Sequence, residues 1–293
     1  MSLRLEMLQV ARLAPHLLGD ATSLVENFFK SRYHPEGCFV DRDGQPDLYY
    51  TVFGIEGLMA LRAQFDPAPI APFLEKQGGG DELDLVHLSC LARAWASVPE
   101  LEIQPGIADE IICNVERFRS SDSGYSQHIA AARGTAYACF LALGIYQDCG
   151  RELPDPTAMN ACLDSLRTGD GAFSNEPGMP FGLTAPTAAA ITIKHQLGVE
   201  NNPVSGEWLM GLYHPQGGFC ALPQVPMPDL LSTATALHAL ACLQMPVESI
   251  KESCLDFIDS LWVNKGAFYG EWSDDALDCE YTFYALLALG HLS

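Results

Sequence analysis

The sequence predicts an all-α protein in which six helical hairpins form a barrel with an inner and an outer ring of helices. Three observations lead to this prediction. A glycine-centred turn recurs six times, a run that is apolar on nearly every side follows each turn, and a more amphipathic stretch precedes it. With 293 residues, of which 48% are apolar and 18% charged, the chain can bury a large core.

The turns recur about 42 to 48 residues apart, which is the period expected of arrays of helix pairs. Glycine suits such turns because it adopts positive φ angles without a steric penalty. The six turns are Glu36–Phe39, Gly78–Gly80, Ser123–Tyr125, Gly169–Phe173, Gln216–Phe219 and Lys265–Phe268.

Each turn leads into a run of small and apolar residues. A helix that is apolar all round is buried on all sides, so these runs are predicted to form the inner ring. Ser, Thr or Asp near the start of a run can cap the exposed N–H groups of the helix. The runs are Asp47–Leu61, Asp84–Trp95, Gly134–Ile145, Leu183–Ile193, Asp229–Leu243 and Asp278–Leu289.

The stretches before the turns carry charged residues on one face and apolar residues on the other, which predicts an outer ring. Examples are Ala21–Arg32, Pro105–Arg119, Thr157–Arg167 and Val247–Val263. An open solenoid of the same units would show the same pattern. Closure is favoured because there are six repeats and the last one ends in apolar residues, without a polar capping repeat. We therefore expect a single α/α toroid domain over residues 1–293.

Charge and composition exclude several classes of function. Acidic residues outnumber basic residues 37 to 16, giving a formal charge of −21, whereas nucleic acids and anionic membranes attract basic surfaces. No apolar run reaches the roughly 18 residues of a membrane span, and Met1–Leu18 lacks the pattern of a secretory signal. The ten cysteines form no CxxC pair and are expected to be small buried hydrophobes in a reducing compartment, so we expect a cytoplasmic protein.

A longer pattern follows some of the turns: glycine and phenylalanine, a short loop, then Asp and an apolar helix with Thr near its start. It resembles the repeat of the prenyltransferase and squalene-oxidase (cyclase) family, and the similarity covers essentially the whole chain. The resemblance implies the toroid of protein prenyltransferase β subunits and terpene cyclases. The matching segments are GGFCALPQVPMPDLLSTATALHAL, GAFYGEWSDDALDCEYTFYALLAL and, more weakly, GCFVDRDGQPDLYYTVFGIEGLMAL.

Protein prenyltransferase β subunits hold a catalytic Zn²⁺, and the resemblance implies three ligand positions in this chain. Asp229 matches the first position, but Leu231 stands at the Cys position and Tyr281 at the His position. Leucine cannot bind zinc, so a zinc site of this kind is not expected. The family also binds a prenyl diphosphate through cations at the barrel mouth. Here Arg133 lies one residue away from the position at which the family has a cation. Phe181 stands near the position at which the family has a His.

Class II terpene cyclases protonate an alkene with the middle Asp of a DxDD motif, and the resemblance implies candidate acids in this chain. Asp229 keeps only the first carboxylate of that register, whereas Asp278 and Glu280 supply the first and middle positions in the last inner helix. Glu280 is therefore a candidate general acid supported by Asp278. The alternative is that Asp278 caps the helix while Glu280 faces solvent on its first turn.

Asp274, Asp275 and Asp278 also spell DDxxD, which binds Mg²⁺ and diphosphate in class I terpene synthases. The motif lies in a loop here, and no second metal motif accompanies it. Chance is the favoured explanation in a chain with 37 acidic residues. The cofactor is thus unknown, with zinc disfavoured and magnesium left open.

Aromatic residues near the starts of the inner helices can line an apolar cavity suited to an isoprenoid, and plain core packing is the alternative. His87 and His238 lie in apolar helices, where a lone His is more often a hydrogen-bonded core residue than a ligand. The candidate ligand-binding residues are Tyr49, Tyr50, His87, Arg133, Tyr137, Phe181, Tyr281 and Tyr284.

Three functions remain open at this point. The first is a divergent enzyme that handles an isoprenoid or another apolar substrate, with Asp229, Asp278 and Glu280 as catalytic candidates. The second is a non-catalytic toroid that binds a lipid or a protein. The third is a carbohydrate-active barrel enzyme, which needs two carboxylates flanking the cavity. A heteromeric partner is conceivable because protein prenyltransferase β subunits work with a helical α subunit.

Overall fold

Helices dominate the computed structural model, which describes residues 1–98 and 103–293. In that part of the chain, no helix is both long and apolar enough to cross a membrane. A 3₁₀ turn, Gly19–Ala21, joins the second helix to the third. The helices are α1 (Leu3–Ala11), α2 (Pro15–Leu18), α3 (Thr22–Ser31), α4 (Leu48–Ala60), α5 (Ile70–Glu75), α6 (Leu85–Ser97), α7 (Pro105–Glu116), α8 (Ala136–Asp148), α9 (Pro156–Ser165), α10 (Thr184–Gln196), α11 (Pro203–Met210), α12 (Leu230–Cys242), α13 (Lys251–Ser260) and α14 (Cys279–His291).

Six of these helices form a closed inner ring. Helices α4, α6, α8, α10, α12 and α14 each have 13 residues, and each packs against the next. The last one, α14, packs back against α4, so the ring is closed and is not an open solenoid. Helices α3, α5, α7, α9, α11 and α13 alternate with them along the chain. The predicted α/α toroid is therefore confirmed.

Side-chain caps fix where most of the inner helices begin. Asp47, Asp84, Thr135, Asp229 and Asp278 precede five of them in extended backbone, and each side chain accepts a hydrogen bond from the N–H three residues later. Such a cap satisfies one of the N–H groups that the first helical turn leaves unpaired. The caps hold the inner helices in one common register, and this register decides which side chains face the centre of the ring.

Several of the glycine turns are small β-hairpins. The strands are β1 (Tyr33–His34), β2 (Cys38–Val40), β3 (Pro46–Asp47), β4 (Phe219–Cys220), β5 (Pro228–Asp229), β6 (Trp262–Val263) and β7 (Ala267–Phe268). All pairs are antiparallel: β2 lies between β1 and β3, β4 pairs with β5, and β6 with β7. The buried Phe219 N–H donates to Thr233 Oγ1 at 2.9 Å, which ties this hairpin to α12. The same bond recurs between Phe39 and Thr51 and between Phe173 and Thr187.

Glycines at positive φ allow the turns to touch the neighbouring outer helix. A Cβ on Gly217 (φ +92°) would lie 1.8 Å from the carbonyl oxygen of Ser253 in α13. In the last repeat, a Cβ on Gly266 (φ +85°) would lie 2.1 Å from the carbonyl oxygen of Leu24 in α3. The turn of the sixth repeat thus packs against the outer helix of the first, so the outer layer closes at the same place as the inner ring.

Helix α1 crosses one end of the barrel. It packs against α8 and α14, which lie opposite each other in the ring, and also against α4. Arg4 Nε donates to Asp148 Oδ1 at 3.2 Å, and the Leu3 N–H donates to Gln147 Oε1 at 2.8 Å. These partners lie at the carboxyl end of α8, so α1 forms a floor beneath the carboxyl ends of the inner helices. The sequence did not predict this floor.

Replacing Gly266 by alanine should test closure of the outer layer. Gly44 is a matched control, because its φ of +82° is nearly the same but a Cβ there would meet nothing within 4 Å. Gly44→Ala should lower the free energy of unfolding by about 1–2 kcal/mol through left-handed backbone strain alone. Gly266→Ala should lower it by about 1–3 kcal/mol more, because the methyl group clashes with α3. Chemical denaturation measures both, and equal losses would contradict the contact.

Candidate functional site

A cavity of about 220 Å³ lies at the centre of the inner ring. All six inner helices contribute to its wall, and Met7 of α1 contributes at the floor. Most of the lining side chains are apolar or aromatic, which is typical of sites for small molecules. The wall is formed by Met7, Tyr49, Val52, Phe53, Val86, Ser89, Cys90, Arg93, Tyr137, Phe140, Leu141, Ala185, Ala188, Ala189, Thr192, Leu231, Thr235, His238, Glu280, Tyr284 and Leu287.

The register of the inner helices brings equivalent positions together around the cavity. The second residue after each capping position faces the centre, and these six residues form the layer nearest the amino-terminal ends of the helices. They are Tyr49, Val86, Tyr137, Ala185, Leu231 and Glu280. Glu280 is thus a carboxyl group in a layer whose other members are apolar or aromatic.

The Glu280 carboxyl is held by a hydrogen bond from a neighbouring inner helix. Tyr49 Oη donates to Glu280 Oε1 at 2.6 Å. Burial raises the pKa of Glu280 to about 7, and the charge of Asp278 adds to this effect, while the Tyr49 bond and Arg42 oppose it. A carboxyl group with this pKa carries its proton in about half of the molecules at neutral pH. The Glu280 side chain is half-buried and lines the cavity, while Asp278 caps the helix as the alternative interpretation expected.

Asp278 lies beside Glu280 but has a different environment. It is fully buried, caps α14 through the Tyr281 N–H at 2.9 Å, and accepts a hydrogen bond from Arg42 Nε at 2.7 Å. Arg42 also reaches Asp274 Oδ2 at 3.3 Å. Asp278 is not part of the cavity wall, so it acts on Glu280 through its charge rather than by contact with a ligand.

Aromatic rings surround the space next to Glu280. The ring centroids of Tyr49 and Phe53 are 5.0 Å apart, and those of Phe53 and Tyr284 are 5.6 Å apart. Tyr137 and Phe140 complete the aromatic wall from α8. Aromatic faces carry negative charge density, so they attract cations that lie above them.

One positive side chain faces the deeper part of the cavity. Arg93 of α6 forms two hydrogen bonds with the fully buried Glu56 of α4, one of them from Nε to Oε1 at 2.7 Å. Ser97 Oγ donates to the same Glu56 oxygen at 3.1 Å. Because the two charges pair across adjacent inner helices, the bidentate Arg93–Glu56 pair puts little net charge into the cavity.

Other residues predicted for the site lie outside this cavity wall. Asp229 caps α12 by accepting from the Ser232 N–H at 2.7 Å, and burial raises its pKa. His87 is half-buried, with Nδ1 2.9 Å from Asp84 Oδ1. The Arg42 guanidinium lies 5.6 Å from the centroid of the Tyr281 ring. The remaining three are the half-buried Tyr50 and Phe181 and the exposed Arg133.

The residues at the family's metal positions do not fit a cation. Leu231 faces the cavity where a Cys ligand is expected, and neither leucine nor the Tyr281 phenol replaces the thiolate and imidazole that zinc prefers. In the DDxxD segment, Asp274 and Asp278 are both paired with the Arg42 guanidinium, which occupies the place that a cation would take between them. We therefore derive no chemical step through a metal at these positions.

Met7 and Arg93 of the cavity wall, and Glu56 behind Arg93, were not predicted from the sequence as site residues. Met7 was missed because α1 was not recognised as part of the barrel. Arg93 and Glu56 had a usable signal, since each is a charged residue inside an otherwise apolar run, and their charges are opposite. Such buried charges are expected to pair.

Comparisons with known proteins agree with the toroid. The type II terpene cyclase MstE from Scytonema, as a variant in complex with its product merosterolic acid A, matches with a TM-score of 0.62 and 11% identity. That match covers 95% of this chain and 97% of the other. Another MstE variant, in complex with its substrate geranylgeranyl dihydroxybenzoate, matches with a TM-score of 0.60 and 12% identity over the same shares. At these identities the similarity shows the fold alone.

No curated protein sequence matches this chain. The model of the prenyltransferase alpha-alpha toroid domain matches residues 5–92 and 187–292, which is more than half of the chain. The closed double ring of helices, the capped inner helices and this match lead to one conclusion: the chain belongs to the prenyltransferase alpha-alpha toroid family.

Proposed function

We propose that this protein is an enzyme that protonates an alkene of a short isoprenoid in its central cavity, with Glu280 as the general acid. The observation that carries the proposal is the Glu280 carboxyl, whose pKa is about 7, in the wall of an aromatic cavity. General acids work best when their pKa lies near the operating pH, because they then hold a proton and can still release it.

The surroundings of Glu280 support a role as proton donor. Burial favours the uncharged form of the group, and the negative charge of Asp278 acts in the same direction. Tyr49 holds Glu280 Oε1, which orients the carboxyl and leaves its other oxygen for a substrate. Asp278 is held away from the cavity by its cap and by Arg42, so we assign it a positioning role, and Asp229 a capping role.

The aromatic wall supports the next step of the proposed reaction. Proton transfer from Glu280 to one alkene carbon leaves a positive charge on the other, and the faces of Phe53, Tyr137 and Tyr284 can stabilise it. A second alkene of the same substrate then attacks the cation and forms a carbon–carbon bond. Ring closure leaves a cyclic cation, and transfer of a proton from its neighbouring carbon to the Glu280 carboxylate gives the neutral ring product and restores the acid, so the net reaction is an isomerisation.

The size and charge of the cavity indicate the substrate class. Its volume of about 220 Å³ is below the roughly 300–1,000 Å³ of pockets for drug-sized ligands, which favours a short isoprenoid. Arg93 and Arg42 are both paired with carboxylates, so neither offers an unneutralised charge to a diphosphate. We therefore expect an uncharged substrate. The substrate in the MstE complex, geranylgeranyl dihydroxybenzoate, is likewise an isoprenoid without a diphosphate.

The carbohydrate-active alternative has less support. Among the described residues of the cavity wall, Glu280 is the single carboxylate, whereas glycoside hydrolysis uses two. The non-catalytic alternative makes a different prediction, namely that an apolar molecule binds in the cavity and leaves unchanged. Analysis of the molecules recovered after incubation distinguishes the non-catalytic alternative from catalysis.

Activity should depend on Glu280 in its protonated form. The native protein, incubated with geranyl, farnesyl and geranylgeranyl dihydroxybenzoates, should cyclise the shortest fastest, at a rate that falls as pH rises through about 7. Glu280→Gln should lower the rate by about 100-fold or more, because general acids contribute about 10²–10⁴-fold. Glu252→Gln, at an exposed position of α13, is the control. Binding of these compounds without turnover would support the non-catalytic toroid instead.

The free energy of unfolding should also depend on the protonation of Glu280. Because the pKa of Glu280 is raised in the folded state, the folded chain binds this proton more tightly than the unfolded chain does. This tighter binding of the proton stabilises the folded chain fully below about pH 4.5, and the stabilisation is lost as pH rises to about 7. At about pH 8, Glu280→Gln should be more stable than the native protein by about 2–3 kcal/mol. The Glu252→Gln control should show no such gain in chemical denaturation, and an unchanged Glu280→Gln would contradict the buried acid.

A further inference from the structure

A cluster of potential metal ligands lies at the floor of the barrel, at the opposite end of the inner helices from Asp229. Ligand atoms of Glu6, His238 and Cys242 all lie within 4.8 Å of one another. His238 and Cys242 stand four residues apart, on one face of α12, near its carboxyl end. Glu6 belongs to α1, so the cluster joins the floor helix to the inner ring.

His238, a member of this cluster, has an unpaired ring nitrogen. The side chain lines the cavity wall and the residue is 5% exposed. Its Nδ1 lies 3.1 Å from His291 Nε2, whereas its Nε2 is buried and, among the described residues, has no hydrogen-bond partner. A buried polar atom without a partner is unusual in folded proteins and needs an explanation. If Nδ1–H donates to His291, then Nε2 carries a lone pair.

The three groups share one chemical property: all of them can donate electron pairs to a cation. Imidazole nitrogen, cysteine sulfur and carboxylate oxygen are the ligand atoms that zinc accepts in proteins. Glu6 Oε2 accepts a hydrogen bond from Gln196 Nε2 at 2.5 Å, which orients the carboxylate and leaves further lone pairs unused. His195 Nε2 lies 3.8 Å from the other Glu6 oxygen, on a half-exposed side chain. A cation at the centre would bind Nε2, the Glu6 carboxylate and the Cys242 sulfur together, and it would displace the proton of the Cys242 thiol.

We propose that Glu6, His238 and Cys242 bind a Zn²⁺ ion that fastens α1 to α12 at the floor of the barrel. Zinc accepts this combination of nitrogen, sulfur and oxygen ligands, and three protein ligands leave a fourth tetrahedral position open. Zinc–ligand bonds of about 2.0–2.3 Å put neighbouring ligand atoms about 3.3–3.8 Å apart. Because the ligand atoms already lie within 4.8 Å of one another, the side chains need to move together by no more than about 1.5 Å.

This site is distinct from the zinc site of protein prenyltransferases. That site would include Asp229, at the amino-terminal end of α12, whereas Cys242 is the last residue of the helix. Thirteen helical residues separate the two ends by about 20 Å. His291 acts as the outer partner that orients the His238 ligand, as second partners of metal-bound histidines commonly do.

Metal titration of the full chain tests the proposal without any activity assay. Protein treated with a chelator and then dialysed against Zn²⁺ should retain one equivalent per chain, and Co²⁺ should give the absorption band of a cobalt–thiolate bond. Thermal unfolding should shift to higher temperature with Zn²⁺, because the ion binds the folded chain. Cys242→Ser and Glu6→Gln should lose the bound metal and the thermal shift.

Matched variants make the outcome specific. Cys113→Ser, at an exposed cysteine of α7, should keep one equivalent and the cobalt–thiolate band. His291→Leu should weaken binding by about 10–100-fold without abolishing it. Glu6 is partly exposed, so Glu6→Gln should fold even if a substitution on α12 does not. Substoichiometric zinc in the native chain, or a metal that persists in Cys242→Ser and Glu6→Gln, would overturn the proposal. Neither result bears on Glu280.

Discussion

The close approach of the glycine turns to the neighbouring outer helices is the constraint on which the rest of the structure depends. At Gly37 and Gly217 a Cβ would come within 1.8 Å of a carbonyl oxygen of the next repeat, so only glycine allows this contact. The same contact between Gly266 and Leu24 joins the last repeat to the first. Closure removes the exposed ends that an open array of helix pairs would have.

Closure also creates the environment of Glu280. Once α14 packs against α4, Tyr49 and Glu280 meet across the junction between the first and last inner helices. Partial burial of the carboxyl in this wall disfavours its charged form, and for this reason its pKa rises. At the other end, α1 and its Arg4–Asp148 pair seal the floor. The same ring that stabilises the fold therefore sets the protonation state of the residue that we propose as the acid.

The sequence predicted the inner helices to within a few residues, because runs such as Asp229–Leu243 are apolar on every side and begin at a capping residue. It could not settle which way Glu280 faces. That depends on the rotation of α14, which is fixed by packing of residues far apart in the chain, such as Phe53 and Phe283. The floor helix α1 was missed for a similar reason, since its nine residues follow no repeat pattern. Composition likewise could not bring Glu6 next to His238 and Cys242.

The proposed reaction depends on a carboxyl group in the closed ring that keeps its proton near neutral pH. An NMR titration of the Glu280 side-chain carboxyl carbon in the native protein, assigned by the loss of its signal in Glu280→Gln, measures this property. We expect a titration midpoint near pH 7. A midpoint near 4.5, the ordinary value for a glutamate, would show that the carboxyl is ionised at neutral pH and is not the proton donor that we propose.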